Sequence, residues 1–302
     1  MKTTSYIIAG LLGLGAVGAF CLGAYIGSAV KGTPVIDPAE AGGESVVRQV
    51  ERFSVLDTEV KIYCDSMRID FLEDLVINIT EVASLDTPLL TMNEGWSKYL
   101  TLRESGDSLV MDFDFHGYKA GKTFTYDHDT SNPSIRLEEF IPTDITISVP
   151  KGMLKRVNPD RYTRFAFRGL EADSLEMGLL SSMSFDKCRI GGLSFSGKVK
   201  TAVLNSDYGR NSSKQEATLA FDESQIGSLV LDVPAASVDV TGEGSAIKSL
   251  VWNDTSEKDG MTAILSASNG LLGLVEWDSP KYGNVLRYKM DMKGKGRFAL
   301  AD

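Results

Sequence analysis

The chain has 302 residues, enough for one large domain or two small ones, and its 43% hydrophobic and 24% charged residues are typical of a globular protein. Its formal net charge of −10 argues against nucleic acid as a partner, because an acidic protein repels phosphate backbones. Three cysteines and two histidines are too few for a disulfide framework, and they leave little for zinc, triad or acid–base chemistry.

The first element is an apolar segment over residues 6–30 that contains no charged residue. A helix rises about 1.5 Å per residue and a bilayer core is about 30 Å thick, so the segment is long enough to cross it. Residues 1–31 are therefore predicted to be an uncleaved transmembrane anchor, and the alternatives are a cleavable signal peptide or lipoprotein processing at Cys21. The short N-terminal tail favours a single-pass cell-membrane protein whose C-terminal domain is periplasmic or extracytoplasmic.

Small residues recur at every fourth position of this segment, at Gly15, Ala19, Gly23 and Gly27. Such a face would let a second helix approach closely and support self-association, or it reflects only a glycine-rich anchor. Residues 32–52 are predicted to be a juxtamembrane linker with at most a short helix, because Gly42 and Gly43 would end any helix early.

Strand-like alternation dominates from about Phe53 onward. Apolar and polar residues alternate over 109–115, over 145–149 and again over 286–293, and Pro150 follows the second run in a turn-like sequence. The body is therefore predicted to be all-β, with an N-terminal β region over residues 53–141 and repeats over residues 142–302.

The repeats share an apolar-x-x-Leu-x-apolar core that starts at Ile190, Ile226 and Ile247, with weaker copies from Ala172 and Leu154. The starts are 18, 18, 36 and 21 residues apart, and a degenerate repeat around Tyr208 would fill the doubled interval. One repeat of this length cannot bury its own apolar face, whereas stacked repeats can. The pattern predicts a single-stranded β-solenoid (β-helix-like), and a β-sandwich with coincidental spacing is the alternative.

These segments resemble a family of bacterial proteins. The succession of residues 145–152, the Leu-x-apolar repeats and residues 236–242 is similar to the adhesin-like domains of the toast-rack and head GIN (auto-transporter-adhesin-like) families. The resemblance covers roughly residues 53–300. It implies a β-solenoid in the cell envelope, without established catalytic residues.

Several short motifs resemble catalytic or binding sequences. Residues 192–199 nearly match a phosphate-binding loop, but Val199 stands where Ser or Thr is needed and a strand is predicted to follow, so a turn between repeats is favoured. Ser184 with Lys187 and Ser245 with Lys248 match a Ser-x-x-Lys pattern outside any predicted helix, and are interpreted as coincidences.

Acidic, basic and aromatic residues form the remaining candidate binding groups in the sequence. The cluster Asp127, His128 and Asp129 with Asn132 is the best candidate for a cation, although ordinary turns use the same residues. Asp112 and Asp114 are predicted to face solvent or pair with a neighbour. The locally basic C-terminus would contact anionic lipid or polysaccharide, or protect an unpaired last strand; its residues are Lys281, Arg287, Lys289, Lys293, Lys295 and Arg297. The aromatic residues Trp96, Tyr99, Trp252 and Trp277 are too scattered to indicate a sugar-stacking platform.

No catalytic, cofactor or metal site is predicted. The leading hypothesis is a non-catalytic, membrane-anchored envelope protein that serves as an adhesin-like binding or structural module for another envelope protein, a polysaccharide or a second copy. The alternatives are a β-helix enzyme acting on polysaccharide through carboxylates such as Asp112, Asp114 or Asp127, and an accessory subunit of an envelope signalling system. The sequence leaves open whether Cys64 and Cys188 pair.

Overall fold

The computed structural model describes residues 44–61, 63–64, 67–71, 75–97, 99–114, 124–126, 134–137, 145–204 and 212–291. The predicted anchor over residues 6–30 lies outside these ranges. Among the described residues, no helix combines the length and the apolar character needed to cross a bilayer.

The described residues are almost entirely β-strand, which confirms the predicted all-β class. The strands are β1 (Ser45–Gln49), β2 (Val55–Lys61), β3 (Tyr63–Cys64), β4 (Met67–Phe71), β5 (Leu75–Glu81), β6 (Leu89–Asn93), β7 (Leu100–Ser105), β8 (Ser108–Asp114), β9 (Phe124–Tyr126), β10 (Ser134–Leu137), β11 (Ile145–Val149), β12 (Arg156–Asn158), β13 (Thr163–Arg168), β14 (Glu171–Leu180), β15 (Met183–Asp186), β16 (Arg189–Val199), β17 (Thr201–Leu204), β18 (Ser212–Asp222), β19 (Gln225–Val233), β20 (Ser237–Glu243), β21 (Ala246–Asp254), β22 (Thr262–Ser268), β23 (Leu272–Asp278) and β24 (Val285–Asp291), and the helix α1 is Glu94–Ser97.

Two long and mostly parallel sheets make up the body. Sheet 1 has the order β1-β6-β11-β5-β13-β15-β18-β20-β22-β24, with β17 attached to β18, and sheet 2 has the order β23-β21-β19-β16-β14-β12-β2-β8-β7. Sheet 3 is a small one of order β3-β4-β10-β9. From β13 onward, each turn of the chain adds a strand to sheet 1 and then one to sheet 2. We call such a pair a rung, and this arrangement is consistent with a β-solenoid-like fold.

The repeat seen in the sequence is a register of stacked residues. Ile190 lies beside Ile226, and Ile226 lies beside Ile247. The leucine positions of the repeat form one inward column of fully buried side chains: Leu175, Leu193, Leu229 and Leu250. A further copy, from Leu272 to Trp277, stacks on β21 although its central residue is Val275.

Two details of the predicted repeat are wrong. Val157 lies beside Met177 and not beside Leu175, so the first copy is displaced by two residues. No rung separates β16 from β19 either, because these strands pair directly. The extra residues of the doubled interval instead form an antiparallel arm, in which Thr201–Leu204 pairs with the start of β18, while residue 208 lies outside the described ranges. Spacing alone cannot distinguish an inserted rung from an inserted hairpin.

The chain passes from sheet 1 to sheet 2 through a corner with one left-handed residue. Gly169, Gly244 and Gly270 occupy this position with φ of 64°, 64° and 76°. Lys187 and Glu223 occupy it in the intervening rungs with φ of 54° and 46°. A left-handed residue at each corner reverses the chain within two residues, so consecutive strands enter opposite sheets.

The core is a column of side chains between the two sheets. On the sheet 1 side, the rings of Phe167, Phe185 and Phe221 stack at centroid distances of 4.9 and 5.0 Å. All three are at most 1% exposed. Burial at about 25 cal/mol per Å² makes these repeated aromatic and aliphatic contacts the main stabilising contribution.

Both long sheets continue through the region predicted as residues 53–141. β12 pairs with β2, and β13 pairs with β5, in parallel. Ser45–Gln49, inside the stretch predicted as linker, is the edge strand of sheet 1 and pairs antiparallel with β6.

Candidate functional site

The centre of the outer surface of sheet 2 is flat because most of the outward residues there are small. We call this surface the flat face, and its central positions form two columns across β14, β16, β19 and β21. The first column is Ser174, Gly192, Ser228 and Ser249, and the second is Glu176, Ser194, Val230 and Val251. All eight are partly or fully exposed. Hydroxyl groups and backbone are therefore accessible over several rungs without a cleft.

Polar contacts between neighbouring strands lie at the margins of the flat face. The side-chain amide of Asn253 donates a hydrogen bond to Asp232 at 2.5 Å across neighbouring rungs. The sequence contained the signal for the flat face, since the positions between the buried residues of each repeat are small. The signal is ambiguous in the sequence, because serine and glycine are also what turns contain.

The outer surface of sheet 1 differs in charge. Asp186, Asp222 and Glu243 lie side by side at the ends of β15, β18 and β20. Arg168 donates to Asp186 at 2.9 Å, and the ammonium of Lys187 lies 3.8 Å from Glu223 in the adjacent corners. The ends of the sheet 1 strands thus carry a row of acidic residues, whereas the two central columns of the flat face contain one charged residue, Glu176.

Asp112, one of the carboxylates considered for catalysis, takes part in ion pairs. Its Oδ2 atom is 2.8 Å from the ammonium of Lys61 and 3.5 Å from the guanidinium of Arg103. Arg103 also contacts Glu59 at 2.6 Å. The hydrogen bond from Lys61 to Asp112 raises the pKa of Lys61. Asp112 is only 8% exposed and forms ion pairs, whereas Asp114 is exposed. The prediction that these residues face solvent or pair with a neighbour therefore holds.

The most highly connected buried carboxylate is Asp254, which the sequence did not single out. It is 2% exposed and accepts hydrogen bonds from the Ser256 amide and hydroxyl at 2.9 and 2.5 Å. The Ser279 hydroxyl and the Asn284 amide donate to its other oxygen at 2.7 and 2.6 Å. Burial alone would raise the pKa of Asp254, but these hydrogen bonds lower it overall. The carboxylate joins two loops and has a structural role.

Cys188 is a free thiol in the corner between β15 and β16, which leaves it unpaired with Cys64. It is fully buried, and burial raises its pKa to about 11. Its backbone amide donates to the Ser224 hydroxyl at 2.9 Å, and the Ser224 amide donates to the Ser245 hydroxyl at 2.8 Å. A thiol with a raised pKa is a poor nucleophile, so Cys188 serves packing.

The motifs that resembled catalytic sequences lie in strands and corners. Residues 192–199 are part of the continuous strand β16, so the favoured prediction of a turn there is wrong and no helix N-terminus faces the segment. Ser184 is in β15 with Lys187 in the following corner, and Ser245 is in a corner with Lys248 in β21. Neither Ser-x-x-Lys pair shares a helix, which is what that chemistry needs.

Other candidates are buried or lie outside the described residues. Trp252 is fully buried with Trp277 packed edge-on against it at 5.5 Å, and the cluster from Asp127 to Asn132 is outside the described ranges. Among the described residues, no group of three or more His, Cys, Asp or Glu side chains could hold a metal ion. A shallow cleft of about 510 Å³ lies near the N-terminal end of the stack and is lined by Gln49, Val50, Glu51, Arg52, Thr87 and Glu104.

Comparison with known proteins adds the following. No protein-family model matches the chain, and no curated protein does. Among solved structures, the fold is similar to a "putative adhesin" of Bacteroides fragilis, with 13% identity, a TM-score of 0.36, and 83% of this chain and 99% of that one covered.

Two further solved structures are similar at the same level. A "putative adhesin" of Parabacteroides merdae has 14% identity and a TM-score of 0.29, covering 82% of this chain and 92% of that one. A "putative lipid binding protein" of Parabacteroides distasonis has 11% identity and a TM-score of 0.30, covering 83% and 94%. Similarity at this level does not carry a function from those proteins to this chain.

Proposed function

We propose that this chain is a non-catalytic protein of the cell envelope, anchored in the membrane through residues 6–30. Its stacked sheets serve as an adhesin-like binding or structural module on the extracytoplasmic side. We further propose that it belongs with the toast-rack and head GIN domains that its repeats resemble. The observation that carries the proposal is the flat face.

The flat face suits an extended partner better than a small molecule. Ligand pockets are concave and bury most of their ligand, whereas this surface is built of small side chains over several rungs. Serine hydroxyls at Ser194, Ser228 and Ser249 supply donors and acceptors without the entropic cost of ordering long side chains. Another envelope protein or a polysaccharide could lie directly against the sheet.

The environments of Asp112 and Asp254 also support a non-catalytic role. Asp112 is held between two cations, and Asp254 is saturated with hydrogen bonds. A glycosidase needs two carboxyl groups facing one bound sugar, one of them with a raised pKa. Asp112 and Asp254 are instead held by ion pairs and hydrogen bonds to neighbouring side chains.

The experiment is photo-crosslinking of the full chain in its native membranes. A photoreactive residue would replace Ser194 or Ser228 on the flat face, with Ser184 or Thr241 on the outer surface of sheet 1 as the matched control positions. We expect crosslinks to one envelope protein or polysaccharide from the flat face and none from the controls. Equal labelling from both faces would contradict a dedicated binding face.

Two further measurements test the remaining parts of the proposal. The chain should resist alkaline carbonate extraction from membranes, and removal of residues 1–31 should release it. Incubation of the purified full chain with envelope polysaccharides should generate no new sugar ends. Release of such ends would place the chain in the enzyme class instead.

A further inference from the structure

At the C-terminal end of the stack, β23 and β24 are the last strands of the two sheets among the residues that the structure describes. β23 pairs only with β21, and β24 pairs only with β22, among the strands that the structure describes. The outer edge of each strand therefore offers a row of backbone amides and carbonyls. Such edges add further strands unless something covers or repels them.

Apolar side chains of the core are incompletely covered at this end. Val275 and Trp277 of β23 and Leu286 and Tyr288 of β24 point inward and are only partly buried, whereas Trp252 in the previous rung is fully buried. Leu274 and Val285, on the outer faces of the same two strands, are 49% and 47% exposed. In a stacked architecture, terminal side chains of this kind are normally covered by another layer.

The two end strands carry opposite charges on their outward positions. β23 presents Glu276 and Asp278, while β24 presents Arg287 and Lys289, and all four are exposed. None of them forms an ion pair among the described residues. β23 is thus an acidic edge, and β24, which also contains Asp291, is an edge of net positive charge; the two strands have matching lengths of seven residues each.

We propose that this end of the stack docks onto the same end of a second copy of the chain. The chain reverses at each corner between the two sheets, and strands within a sheet are parallel here. The strands of sheet 1 therefore run opposite to the strands of sheet 2. With a two-fold axis parallel to the strands, β24 of each copy lies antiparallel to β23 of the other copy. The dimer therefore contains two such strand pairs. This proposal names a second copy of the chain as a partner of the proposed binding module, and it rests on that proposed function.

Charge decides between the two possible two-fold arrangements. With the axis parallel to the strands, Arg287 and Lys289 lie on the same face as Glu276 and Asp278 of the second copy, at cross-strand distances of about 5 Å. With the axis perpendicular to both sheets, β24 would meet β24 and β23 would meet β23, so like charges would face each other. The first arrangement pairs opposite charges and completes both sheets.

The geometry also sets the strength and orientation of the contact. Strands of seven residues are about 23 Å long, and packed sheets are about 10 Å apart, so the contact is smaller than a standard interface. We therefore expect association at micromolar concentrations. β1 and β7 lie at the opposite end of the stack, so the N-terminal ends of the two copies point away from each other and anchored copies would meet from facing membranes.

The test uses the purified full chain in detergent, followed by analytical ultracentrifugation and energy transfer between labelled copies over roughly 1–200 µM. We expect a monomer–dimer equilibrium that added salt weakens. The double variants E276K/D278K and R287E/K289E should each be monomeric. Mixed together, they should form a heterodimer, because each mixed contact again pairs opposite charges.

The control variant is D173K/D239K, which makes the same change in net charge as E276K/D278K at exposed positions away from the end and should dimerise like the unmodified chain. A monomer at every concentration would overturn the proposal and would mean that the edge charges keep copies apart. A dimer that persists in both double variants would also overturn it, because association would then come from residues 6–30 or another surface. Neither result bears on the crosslinking from the flat face, so the two proposals fail separately.

Discussion

Asp254 shows how one buried side chain links rungs to the loops between them. Its ionised form accepts four hydrogen bonds, and its pKa is lowered although burial alone would raise it. An unfolded Asp has a pKa of about 3.9, so the group adds stability above that value. The contribution is lost as the pH falls through the lower pKa of the folded state.

We therefore expect Asp254→Asn to lower the free energy of unfolding at pH 7 by about 1–3 kcal/mol, because an amide nitrogen would face hydrogen-bond donors. The deficit should shrink as the pH falls below about 4, where the unmodified carboxyl is also protonated. Urea unfolding at pH 7 and pH 3 measures this. Asp278→Asn, on an exposed position of the next rung, should change little at either pH, and an equal deficit at both pH values for Asp254→Asn would contradict the assignment.

Lys187 and Glu223 are strained residues in an otherwise glycine-bearing corner. A non-glycine residue in the left-handed region costs about 1–2 kcal/mol of strain. Part of this cost is offset, because glycine at the same position would lose more conformational entropy on folding. Their mutual ion pair is 3.8 Å long and exposed, so it contributes little. We expect Lys187→Gly or Glu223→Gly to raise the free energy of unfolding by about 0.5–1 kcal/mol.

The reverse change at the equivalent corner provides the control. Gly244 has φ of 64° and the nearest atom to an added Cβ is 3.7 Å away, so Gly244→Ala introduces strain without a clash. It should destabilise the protein by about 1 kcal/mol in chemical denaturation. If Gly244→Ala stabilised the protein, or if neither Lys187→Gly nor Glu223→Gly stabilised it, the corners would not be strained.

At the scale of the strand, close contact between rungs explains particular glycines. A Cβ on Gly227 would overlap the backbone carbonyl of Gly191 in the rung beneath it. A Cβ on Gly192, which follows Gly191 in β16, would meet the Ser228 hydroxyl at 3.5 Å and the Asp173 carbonyl oxygen at 3.9 Å, which are ordinary contact distances. Gly227→Ala should therefore cost about 1–3 kcal/mol and Gly192→Ala less than about 1 kcal/mol, as measured by thermal unfolding. A reversed order would mean that the rungs are not stacked in this register.

Strand existence could be read from the sequence at several places, and register could be read only for the clearest copies of the repeat. Alternation over 109–115 and 145–149 corresponds to β8 and β11. The leucines of the repeat also lie one above another as the spacing predicted. The copy beginning at Leu154 was displaced because Val157 satisfies the same apolar pattern in two registers, and only the pairing with β14 and β2 selects one.

At the scale of the molecule, the stack does not depend on the antiparallel arm inserted between β16 and β19. Thr201 and Gln215 are directly opposite each other in that arm, so a two-residue Asn-Gly turn can join them. Replacing residues 202–214 with Asn-Gly should change the free energy of unfolding by less than about 1 kcal/mol, because β16 still pairs with β19. Cooperative loss of the fold in circular dichroism would show that these residues act as a rung.

The sequence by itself determined that the body is made of short strands with repeated inward leucines, because alternation and spacing are local properties of a chain. Only the tertiary structure decided which strands are neighbours, where the arm leaves the stack, and that small outward residues of four strands form one flat face. It also decided that opposite charges lie on the two strands that end the sheets. Those properties depend on contacts between residues far apart in the chain, which neither the alternation along one strand nor the spacing of the repeat specifies.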